Sequence, residues 1–133
     1  MKYNRGFSLI ELMIILTVLA IIVSIAYPSY REQLRKTRRS DAKVALMDAA
    51  AKMERHYTQF SRYSATLANS GISATTPEGF YQIAIATIPA PFQTFDIRAT
   101  GQGDQVNDQC GVLSIDEARV KTNSGGLPQS ICW

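Results

Sequence analysis

Hydrophobic and polar positions divide the chain into regimes of different period. From Phe7 to Tyr27 the sequence "FSLIELMIILTVLAIIVSIAY" is apolar almost throughout. About 20 such residues cross the ~30 Å of bilayer hydrocarbon. Past Pro28 the apolar positions fall into steps of three and four: Ala42, Leu46, Ala49, Ala50, Met53, Tyr57 and Phe60. That spacing makes one stripe on an amphipathic helix. The segment "ALMDAAAKMERHY" adds strong helix formers. One helix is predicted from Phe7 to about Tyr57, with a transmembrane half at 7–30 and an amphipathic half at 31–60. Pro28 withholds one i−4 hydrogen bond and should bend or loosen it. The stripe is a face for packing whatever follows.

The period then becomes two. In "FYQIAIATI" (Phe80–Ile88) residues Tyr81, Ile83, Ile85 and Thr87 share a side, and in "TFDIRAT" (Thr94–Thr100) so do Phe95, Ile97 and Ala99. "PAP" at Pro89–Pro91 breaks the first strand and turns the chain into the second. "GVLSI" (Gly111–Ile115) is a third strand and "ARVKT" (Ala118–Thr122) a short fourth. Between helix and sheet, residues 61–79 form a connector rich in Ser, Thr, Gly and Asn. Loops of that length are usually functional or mobile. The fold class is α+β: a long N-terminal helix whose amphipathic half packs on a small antiparallel meander spanning 80–133.

Charge and cysteines sharpen this. The 133 residues carry 14 basic and 11 acidic side chains, a net +3. From Met53 onward five basic residues (Arg55, Arg62, Arg98, Arg119, Lys121) face seven acidic ones. The basic excess therefore belongs to the N-terminal half, chiefly Arg31, Arg35, Lys36, Arg38 and Arg39. An argument for nucleic-acid binding from overall pI fails. Cys110 and Cys132 are too far apart for a redox CxxC and too few for a zinc site, since only His56 could join them. A disulfide is the better reading, tying down the C-terminus and implying an oxidising compartment. Two buried free thiols are the alternative.

The N-terminus holds the most specific pattern. "MKYNRG" is a short basic leader, Gly6 meets Phe7 at its end, and Glu11 is the one acid in the apolar run. No small-residue cleavage site follows the run, as a secretory signal would require. "RGFSLIELMIILTVLAIIVSIAYPSY" resembles the type III leader and N-terminal helix of type IV pilins and the related pseudopilins. The resemblance is close over about the first 30 residues and architectural beyond them. It implies cleavage by a prepilin peptidase between Gly6 and Phe7, N-methylation of Phe7, an assembly role for Glu11, and Pro28 as the softening proline. A carboxylate deep in a span costs about 2.5–3.5 kcal/mol. On this view the Glu11 of one subunit neutralises the Phe7 amine of its neighbour inside an apolar bundle. A protonated Glu11 near the headgroups is the alternative. The family also implies the pilin fold, with Cys110 and Cys132 bounding a C-terminal disulfide loop. A bridge there closes 23 residues and contributes roughly 3 kcal/mol by chain entropy.

Topology carries a conflict. The count of Lys and Arg around the span puts the larger cluster, and so the C-terminal half, inside. The cysteine pair and the leader both put it outside, and they take precedence. Arg31, Arg35, Arg38 and Arg39 share a helical face, and like charges at i,i+4 repel by a few tenths of a kcal/mol per pair. Anionic headgroups, worth about 1 kcal/mol per basic residue, or acids of neighbouring subunits are the expected compensation. Other motifs carry little. "GQGDQV" (Gly101–Val106) lacks the third glycine and the following helix of a nucleotide site. Asp104, Asn107, Asp108, Asp116 and Glu117 supply oxygens without EF-hand spacing. His56 reads as a solvated helix residue. No cofactor, metal site or enzymatic machinery is expected.

The resemblance implies a minor, PilE-like subunit of a type IV pilus. It would sit in the inner membrane as a single-pass precursor with its C-terminal domain periplasmic, then pass into an extracellular pilus. It would serve assembly, twitching motility, adhesion or DNA uptake. Its partners would be other pilin subunits, prepilin peptidase, the inner-membrane assembly platform and membrane lipid. A pilin that binds DNA as a receptor for uptake is the first alternative. Arg119 and Lys121, two apart on a predicted strand, would then be the contact, with Arg98 and Arg62 nearby. So small a patch implies weak binding, and DNA is not the favoured partner. A type II secretion pseudopilin is the second alternative, disfavoured by the cysteine pair.

Overall fold

The computed structural model describes residues 6–86 and 90–133. The chain divides after Leu34 into two compact units. The first holds the N-terminal part of helix α1 (Leu9–Phe60), which continues through Pro28. Every residue from Gly6 to Tyr30 is exposed, including Leu9, Ile21 and Ile25. The window of highest hydropathy has a mean of 2.8. No described residue of this unit is buried.

The second unit, Arg35–Trp133, is where the chain makes a core. Ala42, Leu46, Ala49, Ala50 and Met53 of α1 are all buried, as the stripe requires. They meet the inward residues of a four-stranded antiparallel sheet, β1 (Tyr81–Ile85), β2 (Asp96–Gly101), β3 (Leu113–Asp116) and β4 (Lys121–Asn123), in the order β1-β2-β3-β4. The register places Ile83 opposite Ala99, Ile97 opposite Ile115 and Leu113 opposite Asn123. Tyr81, Ile83, Phe95, Ile97 and Ala99 are buried, as the two-residue alternation predicts, and Leu113 and Ile115 of β3 are buried with them. Thr87 and Ile88 of the first predicted strand lie outside the described residues.

Several expectations change. α1 begins two residues later than predicted and runs to Phe60, the end of the predicted amphipathic half, and Phe60 is 58% exposed rather than in the core. It falls in the last turn, where its ring lies 4.6 Å from that of His56. The connector 61–79 is packed. Tyr63, Ser64, Ile72 and Thr76 are buried, and its end hydrogen-bonds along β1: Ile83 N donates to Ala74 O at 2.8 Å and Thr76 N to Tyr81 O at 3.0 Å. The third strand starts at Leu113 because Gly111 turns with φ +64° against Ser124 and Gly125, leaving no room for a Cβ. A residue reversal then moves the fourth strand. Arg119 adopts φ +62° in the β3–β4 turn, so β4 opens only at Lys121. A one-turn helix α2 (Gln129–Cys132) completes the chain, and Cys132 is bonded to Cys110 with their Cα atoms 5.6 Å apart.

Candidate functional site

Three groups of residues bear on function, and they follow from local chain chemistry. The first is the N-terminal junction. Gly6 and Phe7 precede α1, Phe7 is 78% exposed, and the amides of Glu11 and Leu12 close the first turn on Ser8 O at 3.1 and 3.2 Å. Glu11 is exposed in the helix's first turn, where a carboxylate favours the partial positive charge of the dipole.

The second group is a buried polar centre. Arg39 and Arg35, four apart on α1, reach two acids that are also four apart, Asp108 and Asp104. Arg39 is 2% exposed; its Nε donates to Asp108 Oδ2 at 2.7 Å and its Nη2 to Oδ1 at 2.6 Å. Arg35 Nε and Nη2 donate to Asp104 at 3.2 and 3.1 Å. Gln105 Nε2 donates to the Tyr81 hydroxyl at 2.8 Å, to Asp108 Oδ2 at 3.0 Å and to Arg35 O at 3.0 Å. The Cys110 amide donates to Asp108 Oδ1 at 3.1 Å. Burial pushes the Asp108 carboxyl up, but the Arg39 bonds and the Cys110 amide outweigh it and hold it below the usual carboxylate range. The Tyr81 hydroxyl is pushed up to about 12, first by burial and against the Gln105 bond. The compensation for the arginine stripe at positions 35 and 39 is thus this chain's own aspartates, a correction to the expected headgroups or neighbouring subunits. Arginine suits the task because its fork matches a carboxylate at two points.

The third group is the remaining cations. Arg98 donates twice to Asp96 Oδ2, at 2.9 and 2.7 Å. The Arg38 guanidinium lies 4.2 Å from the Phe80 ring centroid and Lys121 Nζ lies 5.2 Å from that of Trp133. Burial, with Arg39, Lys121 and Lys36 nearby, lowers the Lys43 ammonium's pKa. Arg119 and Lys121 do not share a strand face as predicted. Arg119 is in the turn, its amide bonded to Asp116 O at 3.0 Å, while Lys121 opens β4 against Trp133. The acids considered for calcium are used otherwise: Asp104 and Asp108 hold arginines, Glu117 accepts from the Phe95 amide and Asp116 from that of Val120. In "GQGDQV" the close approach of Gly101 to the Gln105 carbonyl accounts for one glycine.

Sequence reasoning missed the Arg39–Asp108 centre. Its one signal was the matching i,i+4 spacing of Arg35/Arg39 and Asp104/Asp108.

An exposed apolar helix segment opening on Gly6–Phe7 and Glu11, followed by a helix-packed antiparallel sheet closed by a disulfide, is the architecture of a type IV pilin. The chain belongs to the family described as "Type IV minor pilin ComP, DNA uptake sequence receptor", whose model matches residues 28–114. Residues 1–27 match the prokaryotic N-terminal methylation motif. The type IV major pilin protein PilA of Myxococcus xanthus is 34% identical over 61 residues, 46% of this chain and 28% of that protein. Fimbrial protein EcpC of Eikenella corrodens is 31% identical over 74 residues, 56% and 48% of the two chains. The chain thus spans less than half the length of either relative. A solved type IV pilin from Shewanella oneidensis aligns with TM-score 0.57 and 28% identity over 74% of this chain and 97% of that one. The fold is shared with the non-core minor pilin PilV of Neisseria meningitidis, at TM-score 0.59 and 17% identity over 74% and 94%.

Proposed function

We propose that the protein is a minor structural subunit of a type IV pilus. Prepilin peptidase cuts it between Gly6 and Phe7, Phe7 is methylated, and the assembly platform of the inner membrane passes it into an extracellular filament. Before assembly its C-terminal unit is periplasmic, a side on which the Cys110–Cys132 bond is chemically at home. One observation carries this: the exposed apolar surface from Phe7 to Tyr30 must be covered by lipid first and by neighbouring pilin helices afterwards. Within that bundle Glu11 meets the Phe7 amine of the next subunit. The test is Glu11→Val, which should insert and be cut normally yet be depleted from sheared filaments. Incorporation at the wild-type level contradicts the pairing.

A second reading is added to the first: the subunit also binds DNA as a receptor for uptake. The match over residues 28–114 to a family described as a DNA uptake sequence receptor favours it. The pseudopilin alternative gains nothing from that match. Retention of duplex DNA by the full-length chain in neutral detergent supports DNA binding, and no retention even at low salt contradicts it.

A further inference from the structure

The geometry points to a phosphodiester-binding groove at the C-terminal end of α1, in which Arg55 and Arg62 grip the backbone of duplex DNA. This rests on the DNA reading above and names where the contact is made. Two adjoining hollows, of about 290 and 190 Å³, share His56 and Asn69 as walls. Arg55 lines the first together with Lys52 and Gln59, and Arg62 lines the second. Lys52, Arg55, His56 and Gln59 are spaced i, i+3, i+4, i+7, which places them on one helical face.

Arg62 lies past the helix, and the backbone returns it to that face. Ser61, at φ +54°, ends the helix with its amide bonded to Tyr57 O at 2.7 Å. His56 donates from Nδ1 to Arg62 O at 3.0 Å, and the Tyr63 amide donates to Phe92 O at 2.9 Å. Arg62 is therefore held on both sides at the mouth of the groove.

Availability and placement together single out these two arginines. Arg35, Arg39 and Arg98 are spent on aspartates and Arg38 lies on the Phe80 ring, whereas Arg55, Arg62 and Arg119 are exposed with no carboxylate partner among the described residues, and of these three only Arg55 and Arg62 line the adjoining hollows. The acids closest in sequence are engaged: Asp48 pairs with Lys52 at 2.7 Å and Glu54 accepts from the Tyr63 hydroxyl at 3.0 Å. The groove is open and lacks a buried charge, so a lone phosphate gains little there. A polyanion meets two guanidinium forks at once, with the Gln59 and Asn69 amides as further donors.

The test is anisotropy of a short fluorescent DNA duplex with the full-length chain in neutral detergent, from about 50 to 200 mM salt. Wild type is compared with Arg55→Ala/Arg62→Ala, Arg55→Lys/Arg62→Lys and Arg119→Ala/Lys121→Ala. With two phosphates neutralised, the wild-type slope of log affinity on log salt is about −1.8. The first variant should lose about tenfold or more in affinity and about 1.8 of that slope. The lysine variant should keep the slope while binding more weakly, because charge remains and the fork is gone. The Arg119/Lys121 variant should match wild type. Unchanged affinity and slope in the first variant overturns the groove, as does equal binding of poly-glutamate. If wild type holds DNA and only the Arg119/Lys121 variant loses it, the groove falls and DNA binding stands. If wild type holds none, both fall.

Discussion

Arg39 and Asp108 form a desolvated charge pair, and removing one partner leaves the other buried without compensation. Such breaks cost about 3–5 kcal/mol, whereas replacing both partners by apolar residues of similar volume is often neutral. Arg39→Met is therefore expected to destabilise the folded unit by that amount in urea unfolding, and Arg39→Met with Asp108→Leu to recover most of it. The sign of the pH dependence follows from the depressed Asp108 carboxyl. Its stabilisation is complete above the unfolded value, ~3.9, and is lost as pH falls through the lower folded value. Below about pH 4 wild type should lose stability more steeply than Asp108→Asn, by up to ~1.4 kcal/mol per pH unit for the one extra proton. Equal slopes would mean that Asp108 is not the titrating group. The arginine stripe itself was legible from helical spacing. Its partners were not, because they lie 69 positions away and only the chain turn at Gly103–Asn107 lays Asp104 and Asp108 along the helix. The same limit hid the availability of Arg62, whose return to the helix depends on one left-handed serine.

Elements behave as their periods say where burial is complete on one side. Leu46 is fully buried in the core cluster, and Leu46→Ala should cost about 2–5 kcal/mol. Phe60 belongs to the same stripe by spacing yet lies exposed at the helix end, so Phe60→Ala should change stability by no more than ~0.5 kcal/mol. Paired unfolding curves decide this, and comparable losses would put Phe60 in the core. β1 and β2 were readable because Tyr81, Ile83, Phe95, Ile97 and Ala99 alternate cleanly against solvent-facing neighbours. β3 and β4 were displaced by one or more residues at each end for backbone reasons that hydrophobicity does not report: the close approach of Gly111 to Ser124 and the φ of Arg119. The connector's length suggested a functional or mobile loop, and three backbone amides tie it to its surroundings: Ile83 to Ala74, Thr76 to Tyr81 and Tyr63 to Phe92.

At the scale of the whole molecule, the two units divide the work. The N-terminal motif was legible in full, since glycine, aromatic, acid and apolar run stand in fixed register and no folding is needed to see them. The fold class was legible for the same reason that the stripe was. What DNA would touch was not, because it depends on which cations the folded unit has already used. The boundary also matters for any soluble fragment. One starting after Lys43 would discard Arg39 and Ala42 and leave the buried Asp108 carboxylate without its guanidinium, so it is expected to fold poorly. Processing of this chain and its assembly into a pilus are tested together by mass spectrometry of sheared surface filaments. Filament subunits are expected to begin at N-methylated Phe7 and carry the Cys110–Cys132 bond, with none from a Gly6→Val strain. Filament subunits retaining Met1, or surface filaments that never contain the chain, would contradict that expectation.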